Sequence, residues 1–468
     1  MATQSIKKNF AYNSVLTLSS YVMAFITFPY VSRILGVNKI GLVDFVDNTI
    51  AYFLLFGSMG VSILGVREIA AVKENCEERD RVYSNIFGLN LCFTIVILIA
   101  YLILIYFIPK LNQYSELFYI GSAKIVFTLF LSEWFFAGTE NFRYITLRSL
   151  IVKTLYVISV FIFIKSPNDY KLYFILSVSS VVLNAIVNFV YVNKIVHFNV
   201  LHCFSTKFLK RNIVLGIYNI MTSMYLTFNV MFLGFVANNT QVGYYTTAYK
   251  VYTVTLGFFT AFTGVMIPRM SSLLANGEME RFKELIDKSF RAMCTFSLPI
   301  IICAIVLSPQ IIYVLSGPGY EGAITPMRII MPAALFVGIA QVIAKQVLTP
   351  MKKDNVLFKA SLIGAFISII INIILVSRLQ SMGSAIVLLC SEIAVTGTYV
   401  VFVLKHSIII FPFSSIWKNL LFAAPACVVC LICQCITSNP YIILCVSIPI
   451  SVVTWWLFHK LITNVSFV

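Results

Sequence analysis

The sequence predicts an all-α integral membrane protein with about fourteen transmembrane helices. Of its 468 residues, 60% are hydrophobic and only 11% are charged, and the mean hydropathy is +0.92. Soluble domains carry about 25% charged residues, so this composition excludes a soluble globular protein. The apolar residues form long unbroken runs, such as 91–108 and 361–376. A membrane β-barrel would instead show segments of about ten residues with alternating polarity.

The positions of the helices follow from the polar residues that interrupt the apolar runs. A helix needs about 20 mostly apolar residues to cross a hydrocarbon core about 30 Å thick. Applied along the chain, this length predicts spans at residues 11–34, 41–66, 84–108, 116–138, 144–165, 171–192, 212–235, 243–267, 291–315, 326–348, 357–376, 383–404, 415–436 and 441–461.

Lys and Arg are distributed unequally between the two sides of the membrane. Of the 34 basic residues, 24 lie on the side of the N-terminus, six lie in the opposite loops and four fall within spans. Cytoplasmic loops are enriched in Lys and Arg, so both termini are predicted to be cytoplasmic. The apolar run after Lys7 and Lys8 is too long for a cleavable signal peptide, which indicates an anchor. The net charge of +16 is therefore an orientation signal, and it predicts no nucleic-acid partner.

The two halves of the chain resemble each other at an offset of 202 residues. The informative matches are charged residues and glycines: Gly41 with Gly243, Arg67 with Arg269, and Glu78-Arg79 with Glu280-Arg281. Units of six spans share one orientation, and parallel repeats of this kind occur in alternating-access transporters. We therefore predict a six-helix N-terminal lobe at 1–200, a six-helix C-terminal lobe at 201–404 and two additional helices at 405–468. A duplication kept only for folding is the alternative.

Three segments stand out among the apolar runs. They are Arg33-Ile34-Leu35-Gly36, Gly65-Val66-Arg67-Glu68-Ile69-Ala70 and Glu133-Trp134-Phe135-Phe136-Ala137-Gly138-Thr139-Glu140. Together they resemble the Wzx-type polysaccharide flippases of the multidrug/oligosaccharidyl-lipid/polysaccharide (MOP) exporter superfamily, and the resemblance is strongest in 1–150. Trp134 stands where this family often has Pro, which removes the usual reason for a kink at that point.

The resemblance implies a MOP flippase fold and a flippase for undecaprenyl-pyrophosphate-linked oligosaccharide repeat units in the bacterial inner membrane, working by alternating access. Its implied partners are the lipid-linked oligosaccharide, membrane lipids, and the glycan polymerase and assembly proteins of O-antigen or capsule synthesis. A peptidoglycan-precursor (lipid II) flippase and a cation-coupled multidrug exporter of the same superfamily stay open as alternatives. A membrane glycan polymerase is disfavoured, because no loop on the outer side exceeds about a dozen residues.

Five cations lie within spans or at their ends, where a lipid diphosphate would need partners. Phosphate oxygens bind Lys and Arg, and an ionisable group inside a span normally faces the protein interior or a cavity. These candidate substrate-binding residues are Lys124, Lys250, Arg328, Arg33 and Lys153. A structural ion pair with a carboxylate is the alternative role for each of them.

Four carboxylates are candidates for such ion pairs or for binding a coupling H⁺ or Na⁺: Asp44, Asp47, Glu133 and Glu392. Two arginines at the cytoplasmic edge of corresponding spans are candidates for a gate, or for loop anchoring and ion pairs between the lobes: Arg67 and Arg269. We predict no catalytic residue, no cofactor and no metal site. The chain has no phosphate-cradling glycine loop of the nucleotide-binding type, so it is not predicted to hydrolyse ATP by itself.

Overall fold

The computed structural model describes residues 6–199, 203, 205–224, 227–406 and 413–463. In this part of the chain the secondary structure is helical, with no strand, which confirms the all-α membrane fold. The helices group into two compact units, 1–235 and 236–468. The predicted lobe boundary between residues 200 and 201 lies outside the described residues.

The N-terminal unit is built from long apolar helices and short connecting ones: α1 (Ile6–Ser58), α2 (Val61–Val72), α3 (Cys76–Phe107), α4 (Ser115–Leu131), α5 (Glu133–Gly138), α6 (Phe142–Phe163), α7 (Tyr170–Val192), α8 (Leu209–Met224) and α9 (Thr227–Val236). Helix α3 shows how the sequence sets a helix start. The side chain of Asn75 accepts a hydrogen bond from the backbone N–H of Glu78 at 3.2 Å. Glu77 and Glu78 place negative charge in the first turn, where it interacts favourably with the helix dipole.

The C-terminal unit has the same character: α10 (Asn239–Ala275), α11 (Met279–Val306), α12 (Ser308–Ser316), α13 (Ile324–Ile330), α14 (Ala333–Gln341), α15 (Asp354–Ile371), α16 (Ser377–Lys405), α17 (Phe413–Ile436) and α18 (Pro440–Thr463). Two π-helical segments interrupt this pattern. One, Val342–Leu348, continues α14, and the other, Asn372–Val376, joins α15 to α16. Such π segments are frequent at functional sites.

Ten described helices are long and apolar enough to cross a membrane, or eleven if one bent pair counts as a single span. Two of them are too long for one crossing, since Ser14–Ser58 has 45 residues and Asp354–Lys405 has 52. Each contains a non-helical residue, Gly36 and Gln380 respectively, and each therefore covers two predicted spans. The predicted span at 212–235 contains two residues outside the described part. The helix count is thus consistent with about fourteen spans.

Both units interrupt their helices at corresponding points of the repeat. Helix α1 is kinked at Gly36, with φ 71° and ψ 165°, a conformation that glycine adopts without strain. The counterpart of Gly36 at the offset of 202 residues is Asn238, which lies immediately before α10. The fourth span is broken at Ser132 in the N-terminal unit and, 200 residues on, at Pro332 in the C-terminal unit. In transporters with internal repeats, broken helices of this kind line binding sites.

The break at Ser132 occurs without proline. Ser132 has left-handed backbone angles, φ 41° and ψ 34°, and the N–H of Phe135 bonds the carbonyl of Ser132 at 3.0 Å. The carbonyl of Leu131 thereby loses its helical donor and accepts a hydrogen bond from the side-chain amide of Asn188 on α7. Unpaired backbone groups are costly in hydrocarbon. A buried amide from a neighbouring helix therefore stabilises the break. The sequence does not predict this break, because Trp134 stands where a proline would have explained it.

The segment from Glu133 to Gly138 forms the centre of a packed core. Trp134, Phe135 and Phe136 are buried at 7%, 0% and 0% exposure, and α5 packs against α2. A Cβ at Gly65 would meet the ring of Trp134, and one at Gly138 would lie 2.8 Å from the side chain of Ile69. These glycines therefore permit the close approach of the two helices.

Replacing Asn188 with Leu should destabilise the protein by about 1–3 kcal/mol, because the carbonyl of Leu131 would be left buried without a donor. The measurement is the midpoint of thermal unfolding in detergent. Asn184→Leu is the matched control, since Asn184 lies one turn earlier on α7 and its amide bonds only the carbonyl of Ser180 in its own helix. Equal losses in the two variants would contradict this role of Asn188.

Candidate functional site

Lys124 lies at the centre of a polar cluster inside the N-terminal unit. Its ammonium donates to Asp47 on α1 at 2.5 Å and to the hydroxyl of Ser177 on α7 at 2.9 Å. It also lies 5.3 Å from the ring centroid of Phe174. The Lys124 side chain is 8% exposed, whereas that of Asp47 is 45% exposed. A buried cation is thus held by a carboxylate that is itself accessible.

Asp44 is half-buried one turn before Asp47 on the same segment of α1. Tyr156 of α6 and Tyr173 of α7 form a hydrogen bond with each other and lie within electrostatic reach of both carboxylates. The cluster around Lys124 therefore draws on α1, α4, α6 and α7. It is a set of ionisable and hydroxyl groups enclosed by apolar helices, which is the usual setting of a functional site in a membrane protein.

A second ion pair joins Glu133, the first residue of α5, to Arg148 of α6 at 2.8 Å. Arg148 is almost fully buried, with its side chain 4% exposed, while that of Glu133 is 55% exposed. The same guanidinium nitrogen of Arg148 donates to the hydroxyl of Ser149 at 2.9 Å. Because Glu133 follows Ser132 directly, the left-handed turn at Ser132 positions this carboxylate.

A cavity of about 330 Å³ opens beside Glu133 within the N-terminal unit. Five helices contribute to its wall, from the C-terminal part of α1 to α5. Its polar lining comes from Ser58, Ser62, Asn90, Thr94, Thr128, Ser132 and Glu133, and its apolar lining includes Leu54, Ile125, Leu129 and Trp134. The break in the fourth span therefore borders a cavity, as is required for irregular backbone at membrane depth.

The other two candidate cations of the N-terminal unit bind neutral oxygens. The half-buried Lys153 donates to the hydroxyl of Ser20 on α1 at 2.6 Å. Arg33, close to the kink at Gly36, is exposed and donates to the carbonyl of Pro29 at 2.6 Å.

The C-terminal unit holds two of the predicted cations and one of the predicted carboxylates. Lys250 is half-buried on α10. Arg328 is exposed on α13 and donates to the hydroxyl of Ser308 at 2.8 Å. Glu392 of α16 is 5% exposed, and among the described residues no hydrogen-bond or ion-pair partner faces it. Glu392 is therefore the candidate carboxylate that is buried without a cation.

The two predicted gate residues are both exposed, Arg67 on α2 and Arg269 near the end of α10. Across the described residues neither of them makes an ion pair. Neighbouring positions do: Glu68 pairs with Arg211 at 3.1 Å, and Lys73 pairs with Glu140 at 3.0 Å. Both of these pairs tie loop-proximal segments of the N-terminal unit together.

Sequence reasoning missed four residues of this site. Arg148 falls within the predicted span 144–165, and that position was the available signal. Asn90, Thr94 and Asn188 are uncharged residues in apolar runs, and nothing in their spacing distinguishes them. In the C-terminal unit, Lys345 lies in the first π-helical segment and donates a hydrogen bond to Gln341 at 3.2 Å.

The arrangement can bind polar groups inside a membrane, but it contains no nucleophile with an adjacent base. In the part of the chain that is described, no group of three His, Cys, Asp or Glu side chains could hold a metal ion. Broken helices and buried charged groups inside a multi-pass helical membrane protein are typical of transporters.

The comparisons with known proteins agree with this class. The polysaccharide biosynthesis protein family matches residues 6–274, more than half of the chain, and the protein belongs to that family. A relative in Escherichia coli (strain K12), named "Putative O-antigen transporter", is 24% identical over 422 residues, which cover 87% of this chain and 98% of that protein.

Two solved structures share the fold. The lipid II flippase MurJ in an inward closed conformation superposes with a TM-score of 0.79 at 18% identity, covering 96% of this chain and 98% of that one. An inward-facing multidrug resistance transporter of the MATE family, from the MOP superfamily, gives a TM-score of 0.60 at 12% identity, covering 84% of this chain and 98% of that one. The MOP fold expected from the sequence is thereby confirmed.

The Glu133–Arg148 pair should respond unequally to removal of its two members. Glu133→Ala leaves the buried guanidinium without a carboxylate and should cost about 3 kcal/mol. Arg148→Met leaves Glu133, which is half-exposed, and should cost roughly 1 kcal/mol or less. Thermal unfolding of the two purified variants measures the difference. A larger loss for Arg148→Met would refute this reading of the pair.

Proposed function

We propose that this protein is a flippase that carries undecaprenyl-pyrophosphate-linked oligosaccharide repeat units from the cytoplasmic to the outer leaflet of the bacterial inner membrane. Membership of the polysaccharide biosynthesis family is the observation that carries the proposal, and the likeness to an O-antigen transporter along nearly its whole length supports it. The termini are cytoplasmic in this proposal, as the distribution of Lys and Arg predicts. Glycan polymerase and assembly proteins are its proposed functional partners.

In this proposal Lys124 binds the diphosphate of the lipid. A phosphate group can replace Asp47 as the partner of the ammonium, since both present anionic oxygens to Lys. The exposure of Asp47 at 45% supports such an exchange, because the carboxylate can leave a buried cation at little steric cost. Lys250, Arg328, Arg33 and Lys153 stay predicted substrate-binding residues, each within its own unit.

Lys124→Ala should reduce surface glycan at least tenfold in a strain lacking its own flippase, with normal amounts of the protein in the membrane. The physical reason is the loss of the cation that binds the diphosphate. Lys171→Ala is the matched control, since Lys171 forms an exposed ion pair with Glu116 at a helix end and should support normal glycan.

A double variant separates substrate binding from a purely structural ion pair. If Lys124 serves only to neutralise Asp47, then Lys124→Met combined with Asp47→Asn removes both charges and should restore surface glycan. If Lys124 binds the diphosphate, the double variant should stay as inactive as Lys124→Ala. Restoration of glycan by the double variant would therefore reject Lys124 as a substrate ligand.

We further propose that a proton gradient drives the cycle through Glu392. Of the four candidate carboxylates, Asp47 is paired with Lys124 and Glu133 with Arg148. Glu392 is buried on α16, and the described residues offer it no such partner. A carboxyl group in this position can bind a proton in one state of the cycle and release it in another.

Glu392→Gln should abolish the response of transport to an imposed pH gradient, because the amide cannot exchange a proton. The measurement is the movement of a fluorescent lipid-linked oligosaccharide in proteoliposomes with and without the gradient. Glu321→Gln, in an exposed connection of the same unit, is the control and should respond like the native protein. A full gradient response in Glu392→Gln would contradict the proposed role.

The likeness to the lipid II flippase fold gives one second candidate substrate, the peptidoglycan precursor. The same proteoliposomes with fluorescent lipid II distinguish the two substrates. Transport of lipid II in preference to the oligosaccharide lipid would favour this alternative.

A further inference from the structure

Two of the polar side chains that line the cavity beside Ser132 have no hydrogen-bond partner among the residues that the structure describes. Asn90 and Thr94 of α3 are each 7% exposed and both line the cavity. Their spacing of four residues places them on one face of the helix. Within the described residues, neither side chain has a hydrogen-bond partner. Buried polar side chains normally have partners, so an amide and a hydroxyl are available here for a ligand.

The charges around the cavity are balanced. Glu133 brings a negative charge to the wall, and Arg148 binds this carboxylate at 2.8 Å. Lys153 also lies within electrostatic reach of Glu133 and Arg148. A cationic ligand would compete with Arg148 for the carboxylate, and an anionic ligand would meet Glu133 itself. The balance therefore favours an uncharged ligand.

The remaining wall is apolar and includes the indole of Trp134. An uncharged ligand that was also apolar would leave Asn90 and Thr94 unsatisfied, which costs free energy. A sugar ring offers hydroxyl groups to the amide, hydroxyl and carboxylate, and C–H surface to the apolar wall. The volume of about 330 Å³ lies at the small end of ligand sites, which span about 300–1,000 Å³. It suits one sugar ring or two, rather than a whole repeat unit.

We infer that this cavity is a sugar-binding site in the N-terminal unit, bound by Asn90, Thr94 and Glu133, and that it takes one sugar of the transported glycan. The inference rests on the proposed function for its source of sugar. With the orientation predicted from Lys and Arg, the site lies in the cytoplasmic half of the unit, the side on which the lipid-linked oligosaccharide is loaded. It selects the glycan, while Lys124 binds the diphosphate.

The test is a fluorescence titration of the full-length protein in detergent, with D-glucose, D-galactose, N-acetyl-D-glucosamine and L-rhamnose at millimolar concentrations. Trp134 is one of only four tryptophans in the chain, so binding should change the emission, and Trp134→Phe should abolish that change. Thr94→Val removes only the hydroxyl at nearly constant volume, and Asn90→Leu removes the amide. Each should weaken binding of the preferred sugar by roughly tenfold.

Asn85→Leu is the matched control. Asn85 is 4% exposed on the same helix and does not line the cavity, so this variant should bind sugar like the native protein. The inference is overturned if none of the four sugars binds saturably, or if Thr94→Val and Asn90→Leu bind as tightly as Asn85→Leu. Binding of tetraphenylphosphonium that is lost in Glu133→Gln would assign the cavity to organic cations and would also overturn it.

Surface glycan in the flippase-deficient strain separates this inference from the proposed function. The native protein could restore glycan while its sugar binding does not depend on Asn90 or Thr94. That result rejects the site and leaves the flippase function intact. Native protein that fails to restore glycan rejects the flippase function, and the assignment of the sugar to the transported glycan fails with it.

Discussion

Polar groups inside the hydrocarbon layer have no water to bind, so each of them must find its partner within the protein. The N-terminal unit is organised around this constraint. The carbonyl of Leu131, released by the break at Ser132, is bonded by Asn188. The ammonium of Lys124 is bonded by Asp47 and Ser177. In these two cases the partner comes from another helix, so meeting the constraint also fixes how those helices pack.

The break at Ser132 connects packing to the candidate site. On its C-terminal side, Trp134 of α5 packs against Gly65 of α2, and Ile69 of α2 packs against Gly138 of α5. On the cavity side, Glu133 pairs with Arg148, and other polar side chains line part of the wall. The family-like segment 133–140 therefore serves two purposes. Its aromatic residues anchor the short helix, and its first residue presents a carboxylate inside the membrane.

The fold could be predicted from the sequence because its causes are local. Composition, run length and the offset of 202 residues between Gly41 and Gly243 are readable without coordinates, and the helical spans follow from the thickness of the bilayer. Of the candidate site, only some of the charged residues could be predicted from the sequence. Lys124 and Asp47 are conspicuous within spans, but their contact joins residues 77 positions apart. Asn90 and Thr94 gain meaning only from the cavity that they line.

The sequence by itself thus determined a multi-pass helical membrane protein with a set of intramembrane charges, because hydropathy and charge act residue by residue. Tertiary structure alone decided which charges pair, that Arg148 is buried rather than in a loop, and that the fourth span breaks without proline. These outcomes depend on partners contributed by other helices. Side-chain pairing in hydrocarbon is set by proximity across helices, and no spacing along one helix encodes it.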